Sequence, residues 1–424
     1  MPHFTESPSY PVKGFHFMAK PAGPACNLNC RYCFYTEKNA LYRGKNNYRM
    51  SEEVLETFIR KYISEQPVDE VEFVWQGGEP TLLGVDFYRR VVRLQKQYSQ
   101  GKHIKNSLQT NGTLLNDGWC KFLKEHNFLV GLSLDGPAQI HDRYRVDHAG
   151  KPTFDAVIRG LRLLKKHDVD FNIMACVAKE TAYKFLQVYR FFRDEGVRFI
   201  QFMPIIERVA DAHGKERGFR LASPAVLDRE ETNTEVTPWS VSPEAYGTFL
   251  SGVFDEWVKH DVGSIFVMNF EWALNSWIGN PSPVCVYANQ CGRSVVIEHD
   301  GDVYACDHCV YPGYKLGNIL TDGPLEMIGK SLSSGFGTNK ETALPQCCRD
   351  CEVLNLCRGG CPKHRFTSSY NGEPGLQYLC VGYKKFFLHI RKYLRVMTQL
   401  LENGLPVSHI MKALEGPLVV KLNQ

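Results

Sequence analysis

The chain has 424 residues, 43% hydrophobic and 12% aromatic, enough apolar surface for two or three ordinary cores, which excludes disorder as the main state. Its 50 Lys and Arg against 46 Asp and Glu leave a net charge of +4, too balanced to point to nucleic acid or a membrane surface. No apolar run reaches the roughly 18–20 residues of a membrane helix, and Met1–Lys13 lacks the charged-then-apolar order of a signal peptide, so a cytoplasmic, reducing setting is expected.

Gly14–Lys20 reads as a strand and leads into a loop carrying Cys26, Cys30 and Cys33. Ser51–Ser64 has helical spacing, with Ser51 placed to cap it. Glu70–Trp75 is a strand followed by Gln76-Gly77-Gly78-Glu79-Pro80. Val85–Gln97 is a helix, and Ile104–Thr110 a strand ending in Asn111-Gly112. Asn116–His126 (helix), Phe128–Leu134 (strand, then Asp135-Gly136), Phe154–His167 (helix), Asp170–Val177 (strand), Thr181–Glu195 (helix) and Arg198–Met203 (strand) continue the alternation. Pro243–His260 supplies a sixth helix. Repeated strand–helix units predict a parallel sheet. An open doubly wound sheet and an incomplete barrel both satisfy the pattern. The polar and glycine-rich signals at successive strand C-termini favour the barrel, whose active sites lie at that end. Glu207–Ser240 is polar and without periodicity, and reads as a long loop. It directly follows the sixth strand, so it is expected to border a substrate channel.

Cysteine is the compositional outlier, with 15 in the chain. An odd number without a secretory signal points to metal rather than a disulfide framework. Cys26-x3-Cys30-x2-Cys33 could hold a zinc ion with a fourth ligand nearby, or three corners of a 4Fe–4S cluster with one iron left open. Ten more cysteines lie between residues 285 and 380, which places a boundary near 240–280. Cys120 and Cys176 stand alone in apolar, periodic context and read as buried small hydrophobes.

The first spacing, with Tyr32 before its last cysteine, resembles the signature of radical S-adenosylmethionine (SAM) enzymes. Other marks of that family follow in order. Gly77-Gly78-Glu79-Pro80 resembles the segment that receives the methionine amino group, where Gly78 lets the backbone come close. Ser133 and Arg145 resemble the ribose and carboxylate contacts, and Met203–Ile206 the apolar adenine contact. The resemblance implies a partial (β/α)6 radical SAM barrel. It also implies one-electron cleavage of SAM to methionine and a 5′-deoxyadenosyl radical, which takes hydrogen from an unreactive C–H bond.

The later cysteines, Cys291-x9-Gly301-x4-Cys306, Cys348-x2-Cys351-x5-Cys357-x3-Cys361 and Cys380, resemble the SPASM extension of such enzymes. With Cys285 they make eight ligands for two auxiliary clusters. The resemblance assigns Cys285, Cys291, Cys306 and Cys361 to one, and Cys348, Cys351, Cys357 and Cys380 to the other, for three 4Fe–4S clusters in all. Cys347 adjoins Cys348 and competes with it as a ligand; the spacing to Cys351 favours Cys348. The implied division is 1–240 (barrel core 14–206, insert 207–240), a helical linker 241–282, a C-terminal SPASM domain 283–385 and a helical tail 386–424.

Cys33-Phe-Tyr35, Trp75-Gln-Gly-Gly-Glu-Pro-Thr81, Ser107-Leu-Gln-Thr-Asn-Gly-Thr113, Val130-Gly-Leu-Ser-Leu-Asp-Gly-Pro137, Cys306-Asp307 and Leu316-Gly-Asn318 resemble the anaerobic sulfatase-maturating enzymes. That resemblance implies oxidation of a sulfatase Cys or Ser to Cα-formylglycine. Asp307 would be the base, Tyr35 and Gln76 would line the substrate pocket, and the auxiliary clusters would accept an electron. The implied partners are a sulfatase polypeptide and a reducing donor such as flavodoxin or ferredoxin, with no nucleic acid or membrane. Two rivals are a SPASM peptide cyclase and an iron–sulfur electron carrier. The first often carries an N-terminal leader-binding domain, for which a strand starting at Gly14 leaves no room. The second would not need Gly77–Pro80, Ser133 and Arg145 at strand ends.

Overall fold

The computed structural model of the protein describes residues 14–42, 48–224 and 234–415; Met1–Lys13 and the middle of Glu207–Ser240 lie outside them. The elements run β1 (His16–Lys20), α1 (Glu52–Glu65), β2 (Glu70–Trp75), α2 (Val85–Tyr98), β3 (His103–Thr110), α3 (Asp117–Glu125), β4 (Phe128–Ser133), α4 (Ala138–Tyr144), α5 (Phe154–Lys166), β5 (Phe171–Val177), α6 (Phe185–Asp194) and β6 (Phe199–Pro204). After them come α7 (Ala212–Glu216), α8 (Pro243–His260), β7 (Phe266–Val267), α9 (Met268–Trp277), β8 (Ser294–Glu298), β9 (Asp302–Tyr304) and β10 (Lys315–Asn318). Short side chains at the helix starts fix their boundaries. Ser51 accepts from Val54 N at 3.2 Å, Asn116 from Trp119 N at 3.0 Å and Ser242 from Ala245 N at 3.3 Å, each satisfying one orphan donor of a first turn.

The strands form one sheet in the order β10-β9-β8-β1-β2-β3-β4-β5-β6-β7. β8 and β1 to β7 are parallel, while β9 and β10 return antiparallel. β1 pairs with β2 and β8, and β6 with β5 and β7, so the six-strand arc does not close on itself. It is a partial barrel. The helix-covered face of the arc is apolar. Phe17, Phe73, Trp75, Leu108, Val130, Leu132, Ile173, Ala175, Ile200 and Phe202 are buried on it, with Phe58 and Tyr62 of α1 packed onto Phe17 and Phe73. The alternate residues on the other face include Glu72, Ser107, Gln109, Asn172 and Gln201, all half-buried. Ser107 donates to Glu72 at 2.9 Å and Gln109 to Ser133 at 2.9 Å. Burial of one face and hydrogen bonding across the other is what period-two alternation specifies.

The extension is not a separate body on a tether. β8 continues the parallel sheet beside β1, in a register that sets Glu298 opposite Lys20. The 23-residue helix Cys380–Glu402 packs along α8. The two helices approach so closely that a Cβ on Gly247 would stand 2.6 Å from Gly382 O.

Two expectations change. The described parts of Glu207–Ser240, residues 207–224 and 234–240, are organised rather than a plain loop: they contain α7 and isolated bridges Arg208–Val236 and Val209–Leu221, and Phe219 packs on Ala210 and Tyr311. Single bridges and a five-residue helix are too short to leave a period in the sequence. The helix expected over Thr181–Glu195 begins as a 3₁₀ turn, Thr181–Lys184, before α6. Among the described residues no helix is long and apolar enough to cross a membrane. An apolar cavity of about 200 Å³ lined by Phe254, Trp257, Phe266, Phe270, Leu394 and Met397 lies among α8, the start of β7, α9 and the long C-terminal helix.

Candidate active site

The cysteine loop leaves the C-terminal end of β1 and is clamped by the turn that leaves β2. Gly78 N donates to Gly23 O at 2.8 Å and Glu79 N to Ala25 O at 2.7 Å. A Cβ on Gly78 would stand 1.9 Å from Ala25 O, closer than any real contact. Glu79 is buried and accepts from Thr81 N and Oγ1, Thr110 Oγ1 and Asn111 N, at 2.6–3.0 Å. Burial raises its carboxyl, and those four donors partly offset the shift. Asn111 in turn donates to Asn27 at 2.9 Å and approaches the Cys26 sulfur at 3.8 Å. The glycine-rich turn therefore fixes the position of the thiols. Gly78→Ala is expected to push the loop off the sheet, costing about 1–3 kcal/mol and weakening iron retention at this loop. Iron analysis and thermal unfolding of the variant check this.

Burial pushes the Cys26 and Cys30 thiols up to about 12, and each also feels the charge of Cys33. The three sulfurs share one locality, and a metal must displace their protons to bind there. Next to Cys30 lies a second buried knot. Tyr32 donates to Asp135 Oδ2 at 2.5 Å, Arg145 Nε stands 3.1 Å from Asp135 Oδ1, and the Arg145 guanidinium lies 5.5 Å from the Tyr32 ring. Burial opposes the Arg145 charge, but Asp135 and its neighbours hold it charged. Ser133 at the end of β4 is half-buried and Ile206 after β6 is buried. Tyr32, Gly78, Ser133, Arg145 and Ile206 thus all lie at C-terminal ends of the arc. Cys176 is a correction. It sits beside Arg145 and Asp135 rather than in the apolar core, and burial followed by Asp135 pushes its thiol up to about 12. Its apolar neighbours in sequence concealed this, since the inward face of β5 carries it. Cys120 is fully buried in the core.

On the other side of the loop, the β8–β9 hairpin carries Asp307 to the end of β1. Lys20, only 1% exposed, places its Nζ 2.5 Å from Asp307 Oδ1 and 4.5 Å from the Tyr35 ring centre. Burial acts to raise the Asp307 carboxyl, but Lys20, with smaller help from His308 and Lys363, holds it below the usual carboxylate range. Asp307 is therefore ionised at neutral pH. The Tyr35 hydroxyl donates to both oxygens of the buried Glu298, at 2.9 and 2.8 Å. Gln76 is half-buried and its backbone N donates to Ala19 O at 2.9 Å, so the β1 and β2 ends are adjacent. Lys20 and Glu298 carry no role in the sequence reading, and Asp135 reads there only as a turn residue. Lys20 had a signal: it is a charged residue closing a barrel strand whose three preceding residues, Phe17, Met18 and Ala19, are apolar.

The later cysteines fall into two sets. Cys285, Cys291 and Cys361 each feel the charge of Cys306, while Cys348 feels that of Cys357 and Cys380, and Cys357 and Cys380 both feel that of Cys351, with Cys347 beside this second set. Cys309 is buried against Cys306 and hydrogen-bonds it; with burial, that pushes the Cys306 thiol up. Two cations stand by the sets. Lys340 donates to the carbonyls of Cys285, Val286 and Ala288, and Arg365 to those of Gly359, Lys340 and Arg358. A buried and a half-buried cation beside grouped thiols suit anionic thiolate clusters. Among the described residues no three His, Cys, Asp or Glu side chains gather tightly enough for a single metal ion; a core of four irons and four sulfides asks for a wider ring of ligands.

An open parallel arc with three thiols after its first strand, joined to a cysteine-rich extension, defines a radical SAM protein with an iron–sulfur extension. The Radical SAM superfamily model matches residues 21–192, and the SPASM iron-sulfur cluster-binding domain matches residues 285–352. The serine-type anaerobic sulfatase-maturating enzyme of Bacteroides thetaiotaomicron is 45% identical over 411 residues, 97% of this chain and 98% of that protein. The cysteine-type enzyme of Clostridium novyi is 34% identical over 89% of this chain and 95% of its own length. A solved structure described as native anSMEcpe with bound AdoMet and Cp18Cys peptide superposes with a TM-score of 0.78 at 32% identity, covering 91% of this chain and 99% of that one. The chain belongs to the anaerobic sulfatase-maturating enzyme family.

Proposed function

We propose that the chain oxidises an active-site serine or cysteine of a sulfatase polypeptide to Cα-formylglycine, with Asp307 as the base. The observation that carries this reading is the Lys20–Asp307 pair, which sets an ionised carboxylate where the barrel meets the extension. Cys26, Cys30 and Cys33 would hold one 4Fe–4S cluster. Tyr32, Gly78, Ser133, Arg145 and Ile206 would face SAM. Cys285, Cys291, Cys306 and Cys361 would hold a second cluster, and Cys348, Cys351, Cys357 and Cys380 a third. When bound, these groups supply one-electron chemistry, removing hydrogen from the substrate Cβ and taking up the electron it then gives away. The protein's own part is to position and to move a proton. Asp307 accepts the hydroxyl or thiol proton, which gives the aldehyde directly from serine and, from cysteine, a thioaldehyde that water hydrolyses to the aldehyde with release of hydrogen sulfide; Lys20 keeps the carboxylate ionised until then, and Tyr35 and Gln76 shape the pocket. A small reducing protein such as flavodoxin or ferredoxin would supply electrons, and the cytoplasm is the setting this chemistry needs. The domain division at 240, 282 and 385 is part of the same reading; the two family matches, residues 21–192 and 285–352, fall on either side of the linker it places at 241–282.

Matched serine- and cysteine-containing sulfatase peptides, incubated anaerobically with the reconstituted enzyme, reductant and SAM, test the proposal by mass spectrometry. Formylglycine is expected in both, faster with serine, in line with the 45% identity to a serine-type relative. A crosslinked or unchanged peptide would overturn it.

Lys20→Met is expected to lower formylglycine formation by about 10²-fold, since breaking a buried pair leaves one charge uncompensated. The carboxyl then rises, because burial is opposed only by the smaller effects of His308 and Lys363, so the acid limb of the pH–rate profile moves to higher pH. Lys20→Arg should restore most of the rate near neutral pH. The two pH–rate profiles check it.

A further inference from the structure

The indole nitrogen of Trp239 is buried without a hydrogen-bond partner. Trp239 closes the 207–240 segment, and its carbonyl accepts from Lys179 N at 2.9 Å, which docks it just beyond β5. Its ring packs in a small cluster with Tyr32, Tyr144, Ala178, Cys30, Cys176 and Ile205. That cluster is separate from the main core. It contains one of the three loop thiols, the aromatic residue before the third, and the residue preceding Ile206. A buried N–H with no acceptor is costly and rare. Here it lies beside residues that would enclose the adenosyl end of SAM, a group rich in acceptor nitrogens and hydroxyls.

We propose that Trp239 is a SAM-binding residue, its indole N–H donating to the adenosyl moiety while its ring covers that end of the pocket. This rests on the radical SAM reading of the site. It gives Trp239, at the end of the 207–240 segment, a share in cofactor binding. The backbone bond to Lys179 fixes the indole relative to β5, so the donor is preorganised rather than recruited on binding.

The test uses the cluster-reconstituted full chain. SAM affinity is measured by equilibrium dialysis, and tryptophan fluorescence is followed during titration. Trp239→Phe keeps a ring and loses the N–H. It should weaken SAM and 5′-deoxyadenosine alike by roughly two- to tenfold, the range of one neutral hydrogen bond. Free methionine, which lacks the adenosyl end, should bind as in the wild type, and sulfatase-peptide affinity should not change. Trp239→Ala should weaken SAM further, and the SAM-induced fluorescence change should shrink in both variants. Unchanged SAM affinity in Trp239→Phe would overturn the proposal and leave an ordered water as the indole's partner. Weakened peptide binding with normal SAM binding would overturn it too, turning the indole toward the substrate. Failure of the wild-type chain itself to bind SAM would instead sink the radical SAM reading on which the proposal rests.

Discussion

Replacing Cys26, Cys30 and Cys33 together with Ala is expected to abolish SAM cleavage and lower reconstituted iron from about twelve to about eight per chain. The expectation follows from the separation of the three sites in the chain. The first three thiols sit on a loop clamped by Gly78 and Glu79 at the β1–β2 edge. The other two sets are drawn from residues 285–380, on both sides of β8, and have their cations, Lys340 and Arg365, from the extension itself. Losing the first set should therefore leave the other eight irons in place. The fold should survive as well, because Ala removes no side chain of the main core, in which none of the three cysteines takes part. Iron and sulfide analysis, with 5′-deoxyadenosine release, reads both parts. An unchanged iron content would place the barrel's thiols outside any cluster.

The second large effect is that of Asp307→Asn. The amide keeps the size of the side chain and loses the charge. Cys306 is untouched, so iron should be retained, and the candidate SAM contacts lie across the loop on Tyr32, Ser133 and Arg145. Lys20 loses its counter-charge inside a site where it is 1% exposed, so some destabilisation accompanies the change. Hydrogen abstraction precedes proton removal, and 5′-deoxyadenosine can still form. Formylglycine should fall by about 10²–10⁴-fold, the range of a positioned acid–base group. Product at near the wild-type rate would remove Asp307 from the role and leave a water or Glu298 as the base.

Much of this molecule was readable because its periodicities are strong. β2 is expected and found over Glu70–Trp75, and α8 over Pro243–His260. In each the burial alternation or the cap is written in the residue types themselves. The cysteine spacings marked the site because ligand geometry constrains sequence separation directly. What escaped notice depends on strand pairing. Lys20 meets Asp307 because β8 joins the sheet at β1, in a register that no local pattern encodes. Asp135 stood in plain view as a turn residue, and its role as anchor for Tyr32 and Arg145 appears only when β4 and the cysteine loop are brought together. Cys176 looked apolar because its neighbours are, and its thiol turns to the inward face of β5. The 207–240 segment reads as loop because its contacts, Arg208 with Val236 and Trp239 with the barrel, are single bridges and tertiary packing rather than repeats.

The most direct test of the account is a peptide carrying deuterium only at the Cβ of its target serine, incubated anaerobically with the reconstituted enzyme, reductant and SAM. The account predicts that the 5′-deoxyadenosine released carries that deuterium and that formylglycine appears in step with it. Formylglycine formed alongside unlabelled 5′-deoxyadenosine, or labelled 5′-deoxyadenosine with a crosslinked peptide and no aldehyde, would contradict it.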